Sequence, residues 1–239
     1  MLTKSKRHKL LTRIKEYHRR YLGKKLNDLD ESGTRLMIND FLTEVLGFAS
    51  IEEVKTEYMI KGTYADYVIQ IKGTRHFLVE VKSLTLNLTD KHLRQAVNYG
   101  ANEGIEWVLL TNGRNFELFR ILFDKPIESR RVLSIDLGDR NSLKASVEQL
   151  QHLHRESVVR KGLNVLWNKC LALDPANVAG LLSAPQVVNF IRRALKRKFR
   201  AKFSDEEVNT SLKRVIQEAV SLEGVKSTRT RKRKRISSR

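Results

Sequence analysis

His76-Phe77-Leu78-Val79-Glu80-Val81-Lys82 and, upstream of it, Tyr64-Ala65-Asp66-Tyr67-Val68-Ile69-Gln70-Ile71 are β-branched and aromatic runs separated by a short stretch containing Gly73. Two such runs bounding a glycine turn predict a β-hairpin. Alternation puts Glu80 and Lys82 on one face of the second strand, and Phe77, Val79 and Val81 on the other. Charged side chains on a half-buried strand need partners, and Asp66 is the nearest candidate. Register decides whether it can serve. A three-residue loop, Gly73-Thr74-Arg75, sets Asp66 opposite Lys82 with Glu80 diagonal to it. A two-residue loop sets Asp66 opposite Val81, on the wrong face. The odd loop is the expectation, and an even register would disperse the cluster.

Around this hairpin the chain alternates helices and strands. Residues 4–24 read as a basic helix with Leu10, Leu11, Ile14, Tyr17, Tyr21 and Leu22 near helical spacing. Asp30-Glu31-Ser32-Gly33 opens a second helix whose stripe is Leu36, Ile38, Phe41, Leu42, Val45 and Leu46, stopped by Gly47. A short extended piece, 57–60, precedes the hairpin. A helix from about Thr89 to Asn102 follows, then strands at 107–111 and 115–123 joined through Asn112-Gly113. This order predicts an α/β fold, a mixed sheet flanked by helices. Beyond residue 142 the pattern is helical only: 143–173, broken by Pro175, then 185–203, then 204–220 opened by the capping box Ser204-Asp205-Glu206-Glu207. The expected organisation is a basic N-terminal helix (1–25), an α/β domain (26–142), a basic all-helical accessory region (143–222) and a basic disordered tail (223–239).

The formal net charge of +19 is unevenly distributed. Residues 1–25 carry ten basic side chains and one acid, residues 190–239 seventeen and five, and the stretch between them is nearly neutral. Basic ends on a neutral body suit a protein that neutralises phosphates, although charge alone separates neither DNA from RNA nor either from an acidic membrane. One cysteine excludes a disulfide framework and a multi-cysteine zinc site. No apolar run is long enough to span a bilayer, and the N-terminus has the charge of a secretory signal without its apolar segment. A reducing cytoplasm is expected. P-loop, dinucleotide-binding, zinc-protease and serine-hydrolase motifs are missing. His152 and His154, two apart, read as packing or surface histidines.

Two acid-x-Lys triplets occur, Glu53-Val54-Lys55 and Glu80-Val81-Lys82, and only the second has an acid on a strand upstream. If the register holds, two carboxylates and an ammonium converge. Such a set can hold Mg²⁺ through one or two direct bonds and act on a phosphate. It can equally be an Asp–Lys–Glu salt bridge on a sheet face. Spacing leaves both open.

Six short motifs, in order, resemble the N-terminal domain of type I restriction enzyme R subunits, a PD-(D/E)xK nuclease family. They are Glu31-x-x-Thr34-Arg35, Val45-Leu46-Gly47-Phe48, Ala65-Asp66-Tyr67-Val68-Ile69, Val79-Glu80-Val81-Lys82, Gln95-Ala96-x-x-Tyr99 and Glu106-Trp107-Val108-x-Leu110-Thr111-Asn112-Gly113. The resemblance covers roughly residues 10–125 and implies a restriction-endonuclease-like fold. It implies that Asp66, Glu80 and Lys82 are the catalytic triad, with Asp66, Glu80 and the Val81 carbonyl as ligands of Mg²⁺ (or Mn²⁺). Glu31 matches an acid that approaches the metal in many relatives, and also suits a helix N-terminus on dipole grounds alone. Gln95 and Tyr99 match a supporting motif, or simply cap the sheet. Glu44 is the poorer acid because its neighbours leave it on the solvent side. The family's usual proline before the first aspartate is missing. R subunits continue into a translocase, whereas this chain runs into basic helices, which makes it resemble a free-standing relative of the nuclease domain.

In the helix 185–203, Arg192, Arg193, Lys196, Arg197, Lys198 and Arg200 crowd the polar side, with Val187, Val188, Phe190, Ile191, Leu195 and Phe199 as the apolar stripe. A row of cations without interleaved acids is expected to contact a DNA backbone. The leading expectation is a Mg²⁺-dependent DNA endonuclease, a hydrolase of a restriction system in a bacterial, archaeal or phage cytoplasm. Its expected partners are duplex DNA, restriction–modification subunits and a second copy of the chain, with RNA as the competing ligand. The alternative is a non-catalytic DNA-binding or assembly module on the same fold.

Overall fold

The structure is a computed structural model and describes residues 1–23, 29–60, 63–124 and 126–217. Its helices and strands follow in chain order as α1 (Lys4–Tyr17), α2 (Glu31–Asp40), α3 (Ser50–Glu53), β1 (Val54–Ile60), β2 (Thr63–Ile71), β3 (Thr74–Val81), α4 (Asp90–Glu103), β4 (Trp107–Thr111), β5 (Asn115–Leu122) and β6 (Glu128–Asp136). Helices α5 (Leu143–Leu150), α6 (Arg155–Val159), α7 (Gly162–Ala172), α8 (Pro175–Leu182), α9 (Pro185–Phe199) and α10 (Asp205–Gln217) complete it. Five-residue π-helical turns, His18–Leu22 and Phe41–Val45, extend α1 and α2. The fold is α/β, with one six-stranded sheet in the order β1-β2-β3-β4-β5-β6, parallel at β3–β4 and antiparallel elsewhere. The parallel step follows from α4, which carries the chain back across the sheet between β3 and β4. Among the described residues no helix is long and apolar enough to cross a membrane.

Apolar side chains fill both faces of the sheet. On one side Val68, Leu78, Val108 and Ile121 meet Ala96 and Tyr99 of α4. On the other, Phe41 stacks on Phe116 with centroids 4.3 Å apart, Tyr17 meets Phe41 edge-on, and Phe48 meets Phe77. Close approach of α4 depends on Gly100. A Cβ there would lie 2.4 Å from the Ile121 side chain and 2.9 Å from the Ile105 carbonyl. Gly100→Ala is therefore expected to cost about 1–3 kcal/mol through overpacking, read as a lower urea midpoint with an unchanged slope.

The hairpin departs from expectation in an instructive way. Its turn is the two-residue Lys72-Gly73, both at positive φ, with Ile71 paired to Thr74 and Gln70 to Arg75. Continued without interruption, that even register would put Asp66 opposite Val79 and destroy the cluster. A β-bulge intervenes: His76 is left over, and beyond it Ile69 pairs with Phe77, Val68 with Leu78 and Tyr67 with Val79. The same count continued one step sets Asp66 opposite Glu80, with Lys82 diagonal, the reverse of the expected roles on the expected face.

Other boundaries shift too. The chain divides into two compact units after Cys170, not at 142. Leu10, Ile14 and Tyr17 of the basic α1 are buried, as are Leu143, Val147, Leu150 and Val158 of α5 and α6. Lys6–Glu156 (2.6 Å) and Arg7–Glu148 (3.0 Å) bind α1 to the same segment. Neither the first helix nor α5–α7 is an appendage. Strand β6 has no strand pattern legible in sequence, because its Glu, Ser and Arg positions hide the alternation of a sheet edge. Pro175 starts α8 as well as ending the helical run, with Asp174 accepting from the Ala176 N–H at 3.0 Å. In the second unit, Ser204 and Glu207 exchange side-chain-to-backbone bonds at 2.7 and 3.1 Å, the expected capping box. The tail 223–239 lies outside the described residues.

Candidate active site

The site is built where the C-terminal end of β3 meets the first turn of α2. Asp30 caps α2, accepting from the Gly33 N–H at 2.7 Å, so Glu31 and Arg35 project from successive turns. Two bonds pin that turn to the sheet. The buried Thr34 hydroxyl accepts from the Leu84 N–H at 3.0 Å, just past Lys82. The Tyr67 hydroxyl donates to the Arg35 carbonyl at 2.6 Å.

Glu31, Asp66, Glu80 and Lys82 are thereby brought together. Asp66, Glu80 and Lys82 are 8%, 2% and 9% exposed, a level at which charged groups require partners. Asp66 Oδ2 accepts from the Val81 N–H at 2.7 Å. Glu80 Oε1 accepts from Lys82 Nζ at 2.8 Å, while its buried Oε2 has no hydrogen-bond partner. Lys82 Nζ also lies 3.7 Å from Glu31 Oε2. The other triplet is elsewhere, its Glu53 clasped by Arg155 through two 2.6 Å bonds.

Electrostatics follow from this crowding. Burial, and then the neighbouring Asp66 and Glu31 charges, push the Glu80 carboxyl up to about 7 despite the Lys82 bond. Burial raises Asp66 as well, held back by the Val81 N–H and the Arg35 charge. For Lys82, burial acts downward, but the Glu80 bond and the surrounding carboxylates more than offset it, leaving its pKa above the ordinary lysine value.

Arg35 and Glu57 join the site as well. Arg35 Nε sits 2.8 Å from Asp66 Oδ1, and its Nη atoms reach Glu31 at 3.3 Å and Glu57 at 3.6 Å. The i, i+4 spacing of Glu31 and Arg35 was the available signal. Glu57 has φ 47° where β1 passes Asp66, between the paired residues Thr56 and Tyr58, and nothing in the sequence announces it. His92, near the start of α4, has a buried Nδ1 without a partner; burial and then the Lys82 charge lower its pKa.

Gln95 and Tyr99 are paired with each other, Gln95 Nε2 donating to Tyr99 Oη at 2.9 Å. Among the described residues neither bonds to Asp66, Glu80 or Lys82, and Tyr99 anchors α4 in the core. Glu44 is exposed and pairs with Arg20, as its solvent-side position predicts.

Among the described residues no group of three or more His, Cys, Asp or Glu side chains is placed to hold a metal ion. The smaller set of Asp66, Glu80 and a backbone carbonyl still suits a hard dication. Glu80 offers a buried oxygen lacking any partner, and Mg²⁺ keeps most of its ligands as water or phosphate oxygens.

In the second unit, α9 exposes Arg193, Lys196, Arg197 and Lys198, and Arg200 is exposed at its C-cap. Arg192 differs: it pairs with Asp205 at 2.9 Å and donates to Asn189, tying α9 to α10. Of the expected apolar stripe Val188 is buried, whereas Phe190 and Phe199 stand 67% and 59% exposed.

A mixed sheet with an acid, an acid and a lysine gathered at the end of its central hairpin defines a class of α/β domains with a charged, half-buried polar centre. Within this chain, residues 30–128 are similar to the family described as the type I restriction enzyme R protein N terminus. That span contains Glu31, Arg35, Asp66, Glu80 and Lys82. Among solved structures, the type IIG restriction endonuclease BpuSI is similar with TM-score 0.34 and 19% identity over 64% of this chain. The match spans 19% of that enzyme's length. No curated protein matches the chain.

Proposed function

We propose that the chain is a Mg²⁺-dependent DNA endonuclease of the PD-(D/E)xK type, working within a restriction system in the cytoplasm. The observation that carries this reading is buried Glu80 bonded to the Lys82 ammonium, with the buried carboxylate of Asp66 beside it on the neighbouring strand. The family match supports the nuclease class and the restriction setting.

Asp66, Glu80 and the Val81 carbonyl would hold Mg²⁺, which when bound supplies positive charge to neutralise the scissile phosphate. Lys82 would orient the attacking water and stabilise the developing oxyanion by hydrogen bonding. Glu31 steadies Lys82 from the helix side, and Gln95 and Tyr99 hold α4 over the sheet. The exposed cations of α9 would contact the backbone of duplex DNA without reading bases.

The reading is tested with supercoiled plasmid. Nicking or cutting is expected in Mg²⁺ or Mn²⁺, absent with EDTA and absent in Glu80→Ala. Duplex DNA should compete better than RNA. Binding without cutting in either ion would favour a second reading, a non-catalytic DNA-binding or assembly module. One observation supports that alternative: both oxygens of Asp66 are already engaged, by Arg35 and by the Val81 N–H.

A pH effect follows from Glu80. A divalent ion binds the carboxylate and not the carboxylic acid, so binding must expel whatever proton Glu80 holds. With its pKa near 7, release should approach about one proton per ion below pH 7 and fade above it. Calorimetry of Mn²⁺ binding in buffers of different ionisation enthalpy reads this directly. Release that does not vary with pH would contradict it.

A further inference from the structure

Among the described residues Arg35 is the cation whose side chain touches Asp66, and it reaches three acids in all. Its Nε lies 2.8 Å from Asp66 Oδ1, and its Nη atoms reach Glu31 at 3.3 Å and Glu57 at 3.6 Å. Together with Glu80 and Lys82 the cluster holds four carboxylates and two fixed cations. Fully ionised, it is short of two positive charges, the charge of one divalent ion. A guanidinium does not lose its proton under ordinary conditions, so Asp66 always has a counter-ion at hand.

We propose that Arg35 is a resident counter-ion of Asp66, a positioning residue that a divalent cation displaces toward Glu57 and Glu31. This rests on the metal-dependent reading above and deepens it. A dication brought to Asp66 repels a guanidinium 2.8 Å from the same carboxylate. Displacement needs somewhere for Arg35 to go, and the structure supplies it. Glu31 sits one helical turn before Arg35, and Glu57 lies on the far side of Asp66, mostly exposed and in a left-handed conformation uncommon for glutamate. A backbone held there is a local cost of the kind found where a side chain must be presented in a particular direction. With no ion bound, Arg35 offsets the charge of Asp66 while Lys82 offsets that of Glu80; with one bound, Arg35 stands aside on acids that are already its neighbours. Resting stability and metal affinity are therefore in competition.

The test is Mn²⁺ binding by calorimetry and by the Mn²⁺-induced shift in melting temperature, on the full chain carrying Arg35→Met, Arg35→Lys or Asp66→Asn. Arg35→Met is expected to melt lower without metal and to bind Mn²⁺ about tenfold more tightly than the unaltered chain. Arg35→Lys, which keeps the charge but loses the planar fork, should fall between them, and Asp66→Asn should lose binding. If Arg35→Met does not fold, Arg35→Lys decides alone: tighter binding supports the counter-ion role and unchanged binding overturns it. Equal or weaker affinity in Arg35→Met, with binding still abolished by Asp66→Asn, overturns the role of Arg35 and leaves the metal site standing. No Mn²⁺ binding in any chain overturns the metal-dependent reading and the proposal with it.

Discussion

Lys82→Ala is expected to slow plasmid cleavage by roughly two to four orders of magnitude, the span typical for removing a positioned proton-transfer or charge-stabilising group. The ammonium has few substitutes. It lies 2.8 Å from Glu80 and 3.7 Å from Glu31, and among the described residues no other lysine contacts either acid. Alanine has a second effect that a purely structural lysine would share only in part. It leaves Glu80 buried with no cation bonded to it, so the carboxyl holds its proton to higher pH than the present value near 7. Residual cleavage should therefore need a more alkaline medium than the unaltered chain requires. Melting of the variant checks that the fold survives, and DNA retention checks that the basic surfaces are intact. A folded, DNA-binding Lys82→Ala chain that cuts at the original rate would remove this residue from the chemistry.

The largest effect on stability is expected from Phe41→Ala, about 3–5 kcal/mol. Phe41 is fully buried, stacks on Phe116 of β5 and receives the edge of Tyr17, whose hydroxyl donates to the Gly113 carbonyl at 2.8 Å. One ring thus joins α1, the π-helical turn after α2 and the sheet. Removing it leaves a cavity between three elements that cannot collapse together without moving α2, and α2 carries Glu31 and Arg35. Chemical denaturation should show the loss as a lower midpoint with an unchanged slope. A loss below about 1 kcal/mol would mean that this face of the sheet repacks freely.

Much of the site could be read from residue order. Asp30-Glu31-Ser32-Gly33 announces a capped helix start, and the cap at Asp30 is what aims Glu31 at the sheet. Of two acid-x-Lys triplets, only the one inside an apolar strand with an aspartate upstream assembles a cluster, while Glu53 is taken up by Arg155. Hairpin parity is not legible in the sequence, because a bulge leaves no signature in composition: His76 looks like any strand residue. Strand β6 is hidden in the sequence for a related reason. An edge strand with one exposed face tolerates Glu128, Arg130 and Arg131, and its pattern is barely distinguishable from a loop. Arg35 stood in view within a motif, yet a helix-surface arginine gives no hint that an aspartate thirty-one positions on will meet its Nε. Such long-range pairs are settled by how α2 is pinned through Thr34 and Tyr67, which is tertiary information.

The bulge at His76 has one more implication, for how this hairpin tolerates changes of length. Because the surplus residue sits between the turn and the acids, the distal end works as an expansion joint. Deleting His76 would close the joint and leave Asp66 still opposite Glu80, and an insertion at the Lys72-Gly73 tip can be taken up before it reaches them. A deletion on the near side of the joint, between Asp66 and Ile69 or between Phe77 and Glu80, has no such slack and turns one carboxylate away from the other. The tip of the hairpin is therefore the part of this domain free to vary in length, while the few residues at its base behave as a ruler.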